Sequence, residues 1–469
     1  MDKTTSKVGL GLLALGLSLP VMAGITLGSA ESETGALTLS GTIRVNYQNK
    51  DYGEEVSDKK VKLDAAILRL AYESPDWFGK TEYRCYQYDT LCDFSTLVYG
   101  YAGYRLSSTD YITLGLQPIP FGPSRFWDSS FFASINNTMG LQDIHNLGVN
   151  YHFEMPSATK VDLAYFATDG GNYQGESRDS ARYSANMVKS YDPLKTNLQE
   201  KNMWMARVDQ DLKFLNTENL KISAGASYWY SQIENHKTTE NGSRNTWALF
   251  NRIGYKNFNM VMTGGRQSIT NKDDLAPNSS GFGSFDSEYD IANQGYFYTI
   301  DSRYRFNNIR DALSLTPYLV LSGLNKKQKQ FENSQRNIAG LAWEYKNATL
   351  YTEYLMSKND PFVGGRSSSL AKGDDEHLPI TQLTRNTITD PVLLEENLDQ
   401  IYLNKIGTDN EEFISGMVAC SVPIQRGDTI IACLYVHAPT IRKSLEDLLQ
   451  FEPLLRQAAQ DLNKLIEVA

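Results

Sequence analysis

Six arginines raise the first question of chemistry: Arg44, Arg84, Arg207, Arg252, Arg303 and Arg305. They stand in runs where polar and apolar residues alternate, such as "GTIRVNYQ" and "TIDSRYRF". A period of two places them on the polar face of strands. Carboxylates that include Asp209, Asp301 and Glu344 share those faces. A wall of guanidinium groups breaks no bond. Unpaired, it would hold a field that orients and selects charged solutes; paired with the carboxylates, it would only brace the wall. Bond-breaking chemistry has no comparable foothold. The chain has no P-loop, GxSxG, HExxH or CxxC pattern, and its five histidines stand in no nucleophile or metal-binding context. The sequence therefore reads as non-enzymatic, with no cofactor.

The four cysteines form two candidate pairs. Cys85 and Cys92 have six residues between them, at the outer end of one strand and in the loop that follows. An oxidising compartment would join them as a loop disulfide. Cys420 and Cys433 would face each other if Arg426–Gly427 were a two-residue hairpin turn pairing Gln425 with Asp428, within reach of a bridge.

The address is written at the start, "MDKTTSKVGLGLLALGLSLPVMAGITLGSAES". Lys3 and Lys7 precede an apolar run from Val8 to Leu19, and small residues offer cleavage after Ala23 or Ala30. This is the layout of a secretory signal peptide over residues 1–30. The apolar run is too short for a membrane-spanning helix, which needs about 20 such residues. The net charge of −10 argues against a nucleic-acid partner.

The elements that must position the arginines follow from the same alternation. In "ALTLSGTIRVNYQ", Leu37, Leu39, Ile43, Val45 and Tyr47 oppose Thr38, Ser40, Thr42, Arg44, Asn46 and Gln48. "GYFYTIDSRYRF" and "AGLAWEYK" repeat the pattern, while "KLDAAILRLAYE" loses phase near Ala66, as a bulge would cause. Fifteen such segments lie between Ala36 and Asp360. Short connectors, such as Ser107–Asp110 and Lys346–Ala348, alternate with long ones, such as Pro123–Asn146, Gly170–Gln199 and Asn271–Gln294. Strands of roughly ten residues, with tight turns at one end and long loops at the other, describe an outer-membrane β-barrel over residues 31–365, with lipid around it. The six arginines then line its lumen. Twenty-eight tyrosines suit its interfacial belts.

"DYITLGLQPIPFGPSRFWDSSFF" resembles the strand-to-loop step of Gram-negative trimeric porins. The resemblance implies a homotrimer in the outer membrane, passing small hydrophilic solutes through a water-filled pore narrowed by the loop Pro123–Asn146. That loop carries Arg125, Asp128 and Asp143. Acidic loop against basic wall would set a transverse field; without a lysine cluster, the loop does not point to phosphate selectivity.

Beyond Leu370 the alternation ends. Residues 366–374 read as a junction between two unrelated genes. "DPVLLEENLDQIYLNKI" is helical, with Pro391 after a capping Asp390. "FISGMVACSVPI" and "DTIIACLYVHAP" read as two buried strands, and "IRKSLEDLLQFEPLLRQAAQDLNKLIEVA" as one long amphipathic helix carrying Leu445, Leu448, Leu455, Leu462 and Ile466. "LPITQLTRNTITDP", "TDNEEFISGMVACSVPI" and "IIACLYVHAP" resemble the C-terminal effector-binding domain of IclR-type transcriptional regulators. The resemblance implies a small α/β, GAF-like half-domain over 375–469, without the DNA-binding part. It maps effector positions onto Asp409, Ala419, Tyr435 and His437. A regulator fragment is thus the alternative reading of function. Bacterial barrels close on an even strand count, so fifteen strands predict a barrel one strand short. The sequence ends in "IEVA" rather than the terminal aromatic that porins present, and loss of the closing strand should impair the pore.

Overall fold

The computed structural model describes residues 10–50, 61–88, 90–123, 127–171, 181–374, 383–389, 391–426 and 429–468. Its contacts divide the chain into two units, Met1–Asp374 and Asp375–Ala469.

In the first unit, antiparallel neighbours pair around a complete ring. From Ala36–Lys50 the ring runs through Val61–Glu73, Trp77–Tyr86, Phe94–Arg105, Tyr111–Pro118, His145–Glu154 and Thr159–Thr168. It continues through Leu198–Asp211, Leu220–Asn235, Asn241–Tyr255, Phe258–Thr270, Gln294–Tyr304, Leu313–Lys326, Ser334–Tyr345 and Ala348–Lys358. These are the fifteen strands that the alternation predicts. A short continuation, Phe306–Arg310, pairs with the same neighbour as Gln294–Tyr304. The phase slip in Val61–Glu73 is a bulge: Ala65 pairs with Arg44 and Leu63 with Val45, leaving Asp64 over.

The expectation of a missing strand is corrected. Leu10–Gly28 fills the sixteenth position, pairing with Ala36–Lys50 on one side and Ala348–Lys358 on the other. The ring closes because the segment read as an export leader is itself long enough to span it, and an extended segment satisfies both free edges at once.

The packing is inside out for a protein in water. Trp204 and Leu249 are each 59% exposed on the outer face, while Trp229, Ala248 and Phe297 are buried facing inward. At the short-turn end, aromatic rings form a belt. Trp77 and Tyr104 meet at 4.9 Å between ring centroids, and Tyr304 and Phe306 at 4.8 Å. Part of the interior is filled rather than open. Ile119, Phe121, Trp127, Ile135 and Met139 from the loop after Tyr111–Pro118 pack against inward Met205, Trp229 and Phe297. A hairpin of Ser279–Ser284 with Ser287–Ala292 adds Phe282 and Ile291. Residues 366–374, the expected junction, fall within the first unit, where Leu370 and Ala371 are buried. The amides of Glu332 and Ala292 donate to the carbonyls of Lys372 and Leu370 at 2.9 and 3.3 Å.

The second unit is a three-stranded sheet, Gly407–Asn410, Met417–Arg426 and Thr429–Pro439, with helices Pro391–Asn404, Leu445–Leu449 and Glu452–Val468. Val418, Cys420, Val422 and Ile424 are buried on one face, against Leu448, Leu455 and Ala459. Three expectations are corrected here. The last helix is broken, because Pro453 has no N–H for the preceding turn and its ring clashes there. The second strand is not buried: Ile430, Ile431 and Tyr435 are exposed. Cys420 and Cys433 do not face each other. Arg426 pairs with Thr429, and a register shift after Ile424 sets Cys420 against Val436 and Cys433 against Pro423. The offset from the expected register is odd, which turns the two thiols to opposite faces; Cys420 is buried and Cys433 exposed.

Candidate functional site

The site of interest is the barrel interior where the loop after Tyr111–Pro118 folds inward. Entry into the loop depends on the "PFG" step. Gly122 has φ +69°, and a Cβ there would lie 2.1 Å from the Trp127 ring, so only glycine fits the turn. Among its described residues the loop carries one short helical turn, Ile135–Thr138.

Side chains of the far wall hold that turn. The buried Arg336 forms a two-pronged pair with Asp360 at 2.6 and 2.7 Å. It also donates to the carbonyls of Ala133 and Ser134, at 2.8 and 3.2 Å, and to the Thr138 hydroxyl at 2.9 Å. Glu353 accepts the amides of Phe131 and Phe132 at 2.6 and 3.1 Å and the Tyr318 hydroxyl at 2.5 Å. The Ser322 hydroxyl accepts the Ile135 amide at 3.1 Å, and Asp301 accepts the Ser129 hydroxyl at 2.8 Å. Deeper among the loops, Arg244 lies 3.9 Å above the Trp229 ring, 3.3 Å from Glu200 and 2.8 Å from Gln267. Arg336 and Arg244 are shielded and paired with Asp360 and Glu200, while Glu353 and Asp301 are held by neutral donors alone.

The predicted arginines distribute around this loop. Arg44 and Arg84 line a cavity of about 590 Å³ together with Asp128 and Asp143. Arg252 and Arg303 line another of about 560 Å³, also bordered by Asp128. Arg207 lines a third of about 580 Å³. Most of their charge is already answered by the wall. Arg44 pairs with Asp64 at 2.7 Å, Arg84 with Glu82 at 2.6 Å and Arg252 with Asp209 at 2.8 Å. Arg207 lies 3.3 Å from Asp209 and 3.7 Å from Asp162, and Arg305 contacts Glu344. Arg303 instead donates to the Ser129 hydroxyl at 3.4 Å, tying it to the loop.

The loop carboxylates are also engaged. Asp128 accepts the Ser134 amide at 2.7 Å and the Gln142 amide group at 2.8 Å. Burial pushes its carboxyl above the ordinary range despite those two donors. Asp143 accepts the Tyr183 hydroxyl at 2.6 Å. Arg125 lies outside the described residues. The sulfurs of Cys85 and Cys92 are bonded, with their Cα atoms 4.9 Å apart.

Arg336, Arg244 and Glu353 are the residues that sequence reasoning missed. The signal was present. Arg336 shares the inward parity of Glu344, and Arg244 that of Arg252, each on a single strand.

In the second unit, Asp409, Ala419 and His437 form one row across the three strands. Tyr435 stacks on His437, with ring centroids 5.6 Å apart and planes at 21°. The four effector positions thus share the sheet face opposite the helices. The Asp409 carboxylate is occupied locally, accepting the Glu412 amide at 2.7 Å.

A closed antiparallel ring, apolar outside and charged inside, with a loop fixed within it, is the architecture of an outer-membrane channel. The second unit is of another kind. Residues 374–464 match the family described as bacterial transcriptional regulator IclR C-terminal. A curated protein of Cupriavidus necator, "Probable transcriptional regulator SauR", is 32% identical over 88 residues, covering 19% of this chain and 35% of that protein. The chain therefore spans about a third of the length of the relative it matches. Among solved structures, the outer membrane channel DcaP of Acinetobacter baumannii aligns with 74% of this chain and 96% of its own, at 11% identity and a TM-score of 0.41. A BenF-like porin from Pseudomonas fluorescens aligns with 75% and 99%, at 8% identity and a TM-score of 0.31. Likenesses this distant carry no weight of their own; the barrel stands on its ring of paired strands.

Proposed function

We propose that the chain is an outer-membrane porin, exported by its N-terminal segment, that lets small hydrophilic solutes diffuse through a lumen narrowed by the inward loop. The carrying observation is the loop itself, held by Arg336, Glu353, Ser322 and Asp301 of the wall, with cavities lined by charged residues on its sides. A trimeric assembly in lipid belongs to the same proposal, with the exposed apolar belt as its support. The lumen arginines are its electrostatic lining, and Arg303 carries the charge least cancelled by a paired carboxylate.

Planar-bilayer recording on the full chain tests this reading. Discrete conductance steps are expected. Arg303→Gln should move the reversal potential across a salt gradient toward cation preference. Replacing Arg305 and Glu344 together by Gln should move it little, since the two charges already cancel. A bilayer that stays silent at protein levels where the barrel is folded would end the porin reading.

The family match favours a second reading for residues 374–464 alone. Asp409, Ala419, Tyr435 and His437 would be the remnant of an effector site. Saturable binding of a small organic acid, lost in Tyr435→Ala, would support it; no heat of binding with a panel of such acids would reject it.

A further inference from the structure

We infer that Leu10–Gly28 is retained, uncut, as the strand that closes the barrel, so that one segment serves first as the apolar part of an export leader and then as wall. The inference rests on the membrane-barrel reading and goes beyond it by assigning the fate of the N-terminal segment.

Five observations point this way. The pairing is continuous on both sides. Nine residues in succession, Leu10 to Ser18, pair with Ser357 back to Thr349, and nine, Leu12 to Pro20, pair with Lys50 back to Thr42. The sequence within those pairings alternates: Leu13, Leu15, Leu17 and Leu19 are separated by Ala14, Gly16 and Ser18. A helical leader has no need of such a period, whereas a strand between lipid and a crowded interior does. The leucines fall in register with apolar partners, Leu17 with Val45 and Leu350, and Leu19 with Ile43.

Gly16 falls where space is short. A Cβ on Gly16 would meet the Phe131 ring of the constricting loop at 2.9 Å, so the loop's seat requires a residue without a side chain at that position. Pro20 sits where it does least harm to the ladder. Pairing with Ala348–Lys358 has ended at Ser18, and the register with Ala36–Lys50 shifts just beyond Pro20. Finally, both leader cleavage points lie inside built structure. Ala23 falls in the bulge between Met22 and Ile25, and Ala30 in the turn that joins the first two strands. That turn has Gly28 and Gly35 at φ +90° and +68°, and the Ser32 amide donates to the Ser29 carbonyl at 3.1 Å. Cutting after Ala30 would remove the whole strand and leave two facing edges with unpaired backbone groups in lipid.

The test uses the full chain extracted folded from outer membranes. Tryptic digestion should yield the peptide Val8–Arg44 in amounts equal to peptides of the barrel wall. A chain that begins at Gly24 or Glu31 in the folded protein would overturn the inference. A second measurement does not depend on processing. In a Cys420→Ser, Cys433→Ser background, Ser18→Cys with Thr349→Cys should cross-link on mild oxidation and run as a faster band that reduction abolishes. Ser18→Cys with Tyr354→Cys, five positions out of register, should not. An uncut chain without the in-register cross-link would also overturn the inference. A cut chain that still conducts would sink the inference and leave the porin reading intact. An uncut, cross-linked chain that never conducts would do the reverse.

Discussion

Trp229 in the barrel and Leu448 in the C-terminal unit are almost equally shielded, at 0% and 2% exposure, yet their neighbourhoods differ in kind. Trp229 lies beneath the guanidinium of Arg244, which is paired with Glu200 and Gln267. Leu448 lies against Val418 and Cys420, with Val436, Leu445 and Leu455 around them. The barrel buries charge alongside its apolar groups, whereas the layer between sheet and helices in the C-terminal unit is apolar. The same twenty side chains obey opposite rules because the surroundings that each unit must satisfy are opposite. In lipid the backbone has to be satisfied within the sheet and apolar side chains belong outside. In water the apolar face is removed from solvent.

The largest effect should come from breaking a buried pair. Arg336→Met strands the Asp360 carboxylate in the interior and removes three donations to the loop. Loss of one partner of such a pair costs about 3–5 kcal/mol. Urea unfolding of the detergent-solubilised barrel should show a loss of that size. A midpoint within error of the parent would mean that the loop is not held from this wall. The matching experiment in the other unit is Leu448→Ala, which empties part of the only apolar layer between sheet and helices there among the described residues. Its cost should be about 2–5 kcal/mol, read by amide hydrogen exchange of the strand Met417–Arg426 in the full chain. Unchanged protection would show that the helix is not what covers that face.

How much of this could be read from the sequence follows the same division. Fifteen strands were legible because a wall with one polar and one apolar face repeats a period of two strand after strand. The sixteenth was not, because Leu10–Gly28 meets two descriptions at once: its composition satisfies an export leader, and that reading hides the alternation of Leu13 to Leu19. The loop was legible as a long connector, but its anchors were not. Arg336 and Glu353 are single residues whose meaning depends on a segment some 200 positions away. The arginine wall was legible in its position and not in its charge: the pairs Arg44–Asp64 and Arg252–Asp209 depend on register between strands, and Glu82, two residues from Arg84 on the same strand, was passed over. In the second unit, Pro453 marked the helix break plainly. The cysteine register rested on a turn length that "QRGD" does not fix.

The exposed leucines offer the cleanest direct contrast. Leu249, 59% exposed on the barrel, and Leu398, 54% exposed on the helix Pro391–Asn404, look alike by accessibility. They should respond differently to charge. On the porin reading Leu249 faces lipid, and Leu249→Arg should cost about 2–4 kcal/mol near the bilayer midplane. Leu398→Arg on a water-facing helix should stay within about 0.5 kcal/mol. Folding yield into lipid vesicles reads the first, and hydrogen exchange of the helix the second. Equal effects at the two positions would erase the distinction between the units.

The smallest effect concerns a local rule that only the water-facing unit uses among the described residues. Ser444 caps the helix Leu445–Leu449 reciprocally: its hydroxyl accepts the Asp447 amide at 3.2 Å, and the Asp447 carboxylate accepts the Ser444 amide at 3.0 Å. This arrangement satisfies two of the amides that a helix start leaves without partners. Ser444→Ala removes one bond and leaves the other, so the loss should be about 1 kcal/mol. The expected signature is local, with faster exchange at Asp447 and its neighbours and none in Met417–Arg426. Ser444→Asp should restore most of the protection, because a carboxylate accepts the same amide and also favours the positive end of the helix dipole. If Ser444→Asp were as damaging as Ser444→Ala, the helix would owe its place to the packing of Leu448 alone, and the unit would be held from its core rather than from its ends.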